Sequence, residues 1–173
     1  MKSAKDITLI GLYTALLLGG QYALSWVSGI EIVTVLFLCF CCVFGAIRGF
    51  FVATCFSLVR CVIFGFMPNV VVLYLVYYNL FALFFGTVGK ILTENITVIK
   101  GVVVVLSAVL FSALFTMLDD LITPLVFGYG VDATKAYFFA SFATLLKQVI
   151  CTAITVSVFL VPIIKLLKVF ERK

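Results

Sequence analysis

The chain has 173 residues, 65% of them hydrophobic and 11% charged, with a formal net charge of +5 and a mean hydropathy of +1.36. So few charges cannot cover a soluble fold of this size, so lipid is the solvent for most of the chain. The length suits one domain, residues 1–173. The basic residues lie between and after apolar runs, where they set topology, and form no basic patch of the kind that binds nucleic acid.

The six cysteines, Cys39, Cys41, Cys42, Cys55, Cys61 and Cys151, all lie inside apolar runs without a CxxC pair, and the chain has no histidine. They read as small buried hydrophobes. A mixed zinc site, a membrane metalloprotease and a His-based hydrolase each lack their ligand or base. No metal, cofactor or catalytic residue is assigned on these grounds.

A short polar lead with Lys2 and Lys5 opens the chain. Residues 7–27 read as a first span closed by Trp26; at about twenty residues, with similar runs following, the segment reads as retained rather than as a cleaved leader. Glu31 opens a second run to about Ala46, short for a perpendicular span and read as tilted or partly interfacial. Arg48-Gly49 separates it from a third span, 50–66. Gly65, Pro68 and Asn69 break the pattern and turn the chain into a fourth span, 70–88. Residues 90–100 read as a polar connection and 102–118 as a fifth span ending at Asp119-Asp120. The stretch 121–134, with Pro124, Gly128 and Gly130, reads as a structured loop, and 136–167 as a sixth run with Pro162 near its end. The fold class expected is an all-α integral membrane protein, a bundle of six transmembrane helices.

Six spans place both termini on one side. With that side cytoplasmic, Lys2, Lys5, Arg48, Lys90, Lys100, Lys165, Lys168, Arg172 and Lys173 all fall inside, as the positive-inside rule requires. The polar residues then crowd the outer halves of the helices: Gln21, Trp26, Glu31, Thr34, Arg60, Asn69, Tyr74, Tyr77, Tyr78, Asn79, Asp119, Asp120, Lys147 and Gln148. At about 1.5 Å per residue, Arg60 lies roughly 9 Å and Lys147 roughly 15 Å below the outer surface. An unpaired charge there costs at least about 2.5–3.5 kcal/mol. Glu31, Asp119 and Asp120 are at the right end to be partners. The asymmetry predicts a cavity open to the outside and sealed below, since a channel needs polar lining throughout.

Each feature has a plainer reading beside the functional one. Arg60 and Lys147 either lock helices together as ion pairs or face a ligand. Glu31 either starts its helix, where a carboxylate is favourable, or lines a pocket. Asp119-Asp120 either form a solvated helix end or belong to the site; adjacent residues point apart, so they make a poor acid/base dyad. Tyr74, Tyr77 and Tyr78, continued by Phe81 and Phe85 on one helical face, are either an interfacial belt or a stacking surface for a flat heterocycle. Small residues recur at four-residue spacing at Gly11, Ala15 and Gly19, and again at Gly45, Gly49 and Ala53. Such stripes serve either internal packing or docking to another membrane subunit.

Across nearly its whole length the chain resembles the substrate-binding S component of bacterial energy-coupling factor (ECF) vitamin importers. The residues that carry the likeness are Thr8-Leu-Ile-Gly-Leu-Tyr-Thr-Ala15, Gly29-Ile-Glu-Ile-Val-Thr34, Arg60 to Pro68 with its Phe64-Gly-Phe66 turn, and Asp120-Leu-Ile-Thr-Pro124 followed by Ala136-Tyr-Phe138. The resemblance implies a subunit of the bacterial cell membrane that captures a vitamin from outside. It would then associate with a transmembrane coupling protein and two cytoplasmic ATPases, and topple to release its load. Family members dock through an Ala-x-x-x-Ala motif on the first span, where this chain has Gly11-Leu-Tyr-Thr-Ala15. No Walker-type loop is present, so the chain itself is not an ATPase.

The expected substrate-binding residues are Glu31, Arg60, Asn69, Tyr74, Tyr77, Tyr78, Asn79, Asp120, Lys147 and Gln148, with Gly11, Ala15 and Gly19 for subunit docking. Three acids against two bases in the outer cluster suggest a neutral or zwitterionic ligand; cobalamin-type and queuosine-precursor-type substrates are both considered. The alternatives are a small membrane enzyme acting on a lipid or isoprenoid through Asp119, Asp120 and Glu31, and a scaffold subunit whose intramembrane charges are fully neutralised.

Overall fold

A computed structural model of the chain describes residues 4–26, 32–94 and 97–171. The described residues form six α-helices and no strand: α1 Ala4–Leu24, α2 Val33–Phe44, α3 Ala46–Phe64, α4 Pro68–Glu94, α5 Val98–Phe127 and α6 Val131–Glu171. Five of them are long and apolar enough to cross a membrane, α2 being the short one. Successive helices alternate in direction. At one end, here the terminal end, α1 and α3 both begin, and Arg48 Nε donates to Asp6 Oδ1 at 3.0 Å. The other, the three-loop end, is where α1, α3 and α5 finish.

The short second helix is the centre of the molecule. At 12 residues it is only about 18 Å long, well under a hydrocarbon core of about 30 Å. It touches every other helix, and Val35, Phe37, Leu38, Cys39, Phe40 and Cys41 are wholly buried. A helix apolar on every side is stable only when surrounded, and α2 is enclosed by its neighbours along most of its length. Its exit is a single residue. Gly45, at φ 84°, breaks the helix, and α3 starts at once.

That abrupt turn relies on glycines in α4. A Cβ on Gly86 would collide with the Ala46 backbone, and one on Gly89 with Cys42 Sγ. Gly49 likewise meets Cys41 Sγ, and Ala53 is fully buried, so the second small-residue stripe serves internal packing. Around α2 and α4 runs an aromatic core: Phe37 stacks on Phe81 at 5.5 Å, Phe56 meets Tyr78 at 5.0 Å, and Phe115 meets Tyr77 at 4.9 Å.

Three boundaries differ from the sequence reading. Arg48 and Gly49 lie inside α3 rather than between helices, because Asp6 pairs the arginine. Residues 90–94 continue α4, so the polar connection is far shorter than 90–100. The stretch 121–134 is not a loop. The α5 helix runs through Pro124 to Phe127, and only Gly128, left-handed at φ 64°, turns the chain, its N–H donating to the Pro124 carbonyl.

Candidate functional site

The three-loop end gathers polar side chains from five helices. Near α1, α3 and α4, Gln21 Nε2 donates to Tyr74 Oη at 3.2 Å, and the half-buried Arg60 lies with its guanidinium 4.1 Å from the Tyr74 ring centroid. Between α4, α5 and α6 runs a second group. Thr123 Oγ1 donates to Asp119 Oδ1 at 2.7 Å and Tyr137 Oη to Asp119 Oδ2 at 2.8 Å. Ser141 Oγ donates to Asp120 Oδ2 at 2.8 Å, Thr116 Oγ1 to Gln148 Oε1 at 2.7 Å, and Asn69 Nδ2 to Thr123 Oγ1 at 3.0 Å.

On α5 this polarity follows from spacing. Ser112, Thr116 and Asp120 recur every four residues, so they line one face, and all three are buried against α6. Deeper in the seam Thr152 Oγ1 donates to Ser112 Oγ at 3.1 Å. The seam widens toward the three-loop end into a partly open cavity of about 250 Å³, bounded by Phe115, Thr116, Asp119, Tyr137, Ser141 and Gln148. Phe115 also packs edge-on against Tyr74 at 5.6 Å.

Buried polar groups are normally bonded, and leaving one unpaired costs about 1–3 kcal/mol. Among the described residues, five buried side-chain atoms have no partner: Thr14 Oγ1, Gln21 Oε1, Arg60 Nε, Asn69 Oδ1 and Asp120 Oδ1. Four of the five are at the three-loop end. Among the described residues, only Thr14 Oγ1 is left over outside this end.

The expected site residues separate into groups. Arg60 and Tyr74 come together with Gln21; Gln148 lines the cavity, while Asn69 and Asp120 lie behind it, bonded to Thr123 and Ser141. Tyr77 and Tyr78 are buried in the aromatic core, as is Tyr74 in part, so the tyrosine face is not an interfacial belt. Asn79 is engaged within the fold, its Oδ1 accepting from Thr54 Oγ1 at 3.2 Å and its Nδ2 donating to the Leu75 carbonyl. Lys147 lies on the exposed face of α6 and forms no ion pair among the described residues. Its long stem lets the ammonium reach along the surface, so its apparent depth demands no buried partner. Glu31 lies outside the described residues. Gly11, Ala15 and Gly19 form an exposed stripe on α1, and a Cβ at Gly11 or Gly19 would meet nothing within 4 Å.

The sequence reading left out of the site Thr116, Asp119, Thr123, Tyr137 and Ser141. Hydroxyl residues inside apolar runs commonly bond their own helix backbone, which hides those that bond across. The usable signal was the four-residue repeat of Ser112, Thr116 and Asp120. The chain matches no protein-family model, no curated protein and no solved structure.

Proposed function

We propose that the protein is a six-span, substrate-binding S subunit of an ECF-type importer in the bacterial cell membrane. In this reading both termini are cytoplasmic, the three-loop end faces outward, and the captured solute is a small vitamin-like heterocycle. The observation that carries it is the concentration of unpartnered buried polar atoms, Gln21 Oε1, Arg60 Nε, Asn69 Oδ1 and Asp120 Oδ1, at that one end. A fold that leaves several such groups unpaired in one place gains if a ligand supplies the missing partners. The terminal end supports the same polarity, since its charged pair Arg48–Asp6 is satisfied internally.

Size narrows the ligand. Drug-sized pockets run from about 300 to 1,000 Å³, so a cavity of about 250 Å³ suits a single small ring system or one end of a larger molecule. That favours a queuosine-precursor-sized heterocycle over a cobalamin-type macrocycle. Docking to the coupling protein through Gly11, Ala15 and Gly19 is supported by their exposure, with no internal helix filling the space over Gly11 or Gly19. ATP hydrolysis belongs to separate subunits. The test is a thermal-shift panel of water-soluble vitamins and nucleobase derivatives on the purified protein. One compound raising the unfolding midpoint saturably is the expected result, and a flat response across the panel would remove the proposal.

A further inference from the structure

The charges at the three-loop end do not balance. Asp119 and Asp120 are neighbours on α5, and neither forms an ion pair among the described residues. The nearby cations are placed elsewhere. Lys135 stands 3.9 Å from Asp132 on the exposed start of α6, Lys147 is on the outer face of α6, and Arg60 lies over the ring of Tyr74.

The hydroxyl protons are committed as well. Thr123 and Tyr137 both donate to Asp119, Ser141 donates to Asp120, and Thr116 donates to Gln148. Because Thr123 has given its proton to Asp119, it can only accept from Asn69. That fixes the Asn69 amide with nitrogen toward Thr123, and its Oδ1 is the atom left without a donor. Asn69 is 7% exposed and Asp120 4% exposed, so bulk water does not serve these oxygens. Pro124, four residues after Asp120, also lacks the N–H that would otherwise reach the Asp120 carbonyl. What remains is a surplus of acceptors carrying two negative charges: Asp119 at the wall of the open cavity, and Asp120 behind Ser141, which also lines it. An anionic ligand would be repelled, and a ligand offering only acceptors would leave both oxygens unpaired.

We infer that this site binds the ammonium or amidinium group of a small organic cation, met at the cavity wall by Asp119, with the charge of Asp120 and the unpartnered Oδ1 of Asn69 behind it. An ammonium has three donors for these acceptors, charge-assisted bonds to carboxylates are the stronger kind, and the rings of Phe115 and Tyr137 offer cation–π faces. No group of three or more metal-binding side chains occurs among the described residues, which favours an organic cation over a divalent metal. With Lys147 outside the cluster, the near-neutral balance expected from sequence becomes locally acidic. The inference rests on the three-loop end being a ligand site, and it names the chemistry of that ligand.

The test uses the full chain in lipid nanodiscs, with benzylamine and benzyl alcohol as probes of one shape and different charge. At neutral pH benzylammonium is expected to raise the unfolding midpoint saturably, with an apparent affinity about tenfold tighter than that of benzyl alcohol. In the near-isosteric variant Asp120→Asn that preference disappears. Equal responses to the two probes on the wild type would overturn the inference without any variant. So would a preference that persists in an Asp119→Asn/Asp120→Asn double variant, or an equal saturable shift with calcium chloride. A vitamin-panel compound that binds without a cationic nitrogen would overturn this inference alone and leave the ligand-binding reading standing. A flat panel would remove that reading separately.

Discussion

The two ends of the bundle treat polarity in opposite ways. At the terminal end the chain closes tightly: α2 and α3 join through Gly45 alone, Ala46 lies against Gly86, and Arg48 meets Asp6. At the three-loop end α5 and α6 part around a cavity, and a guanidinium nitrogen, a carboxylate oxygen and two amide oxygens are buried without partners. Stability is therefore built at one end and forgone at the other. Forgone stability in one place is the usual mark of a functional site.

The comparison can be broken most forcefully at the packed end. Gly86→Val should cost about 3 kcal/mol or more, because the new Cβ would collide with Ala46 backbone and overpacking against backbone relaxes poorly; the expected result is loss of a monodisperse peak in size-exclusion chromatography. Arg60→Gln sharpens the other side. It should weaken ligand binding by about tenfold, or about 1.4 kcal/mol, while the unfolding midpoint stays within a few degrees, because an unpaired buried nitrogen is removed along with the Tyr74 contact. Asp6→Asn should lower stability by no more than about 1 kcal/mol, since Arg48 is 39% exposed and such pairs are weak. Thr152→Val, deep in the α5–α6 seam, should cost about 0.6 kcal/mol by thermal unfolding, the typical worth of an interhelical hydrogen bond in a membrane. Gly11→Leu should leave stability unchanged, because the added side chain meets open space, yet weaken co-purification with a coupling subunit.

Much of this architecture is legible in the residues. Apolar runs mark the long helices, and Gly65 with Pro68 marks the turn between α3 and α4. Pro124 misleads for a physical reason: a proline inside a membrane helix is tolerated where neighbouring helices re-satisfy the backbone, and Gly128, able to take a positive φ, is the true stop. The central place of α2 was hidden because the short apolar run from Glu31 to about Ala46 reads equally as a truncated span or a buried helix. In the site, Arg60, Asn69, Asp120 and Gln148 stand out as polar residues in apolar runs. Tyr77 and Tyr78 share their helical face with Tyr74, and periodicity alone does not separate a pocket wall from an aromatic core. Thr116 is signalled by its four-residue repeat with Ser112 and Asp120, whereas Thr123, Tyr137 and Ser141 became visible only once α5 and α6 were seen to face each other.

The unspent polar groups at the three-loop end are the centre of the account, and native mass spectrometry on protein released directly from its membrane tests them most directly. The account predicts that the wild type carries one small molecule of defined mass, and that an Arg60→Gln/Asp120→Asn variant is bare while unfolding at the same or a higher temperature. A bare wild type, or the same adduct retained by the variant, would contradict it.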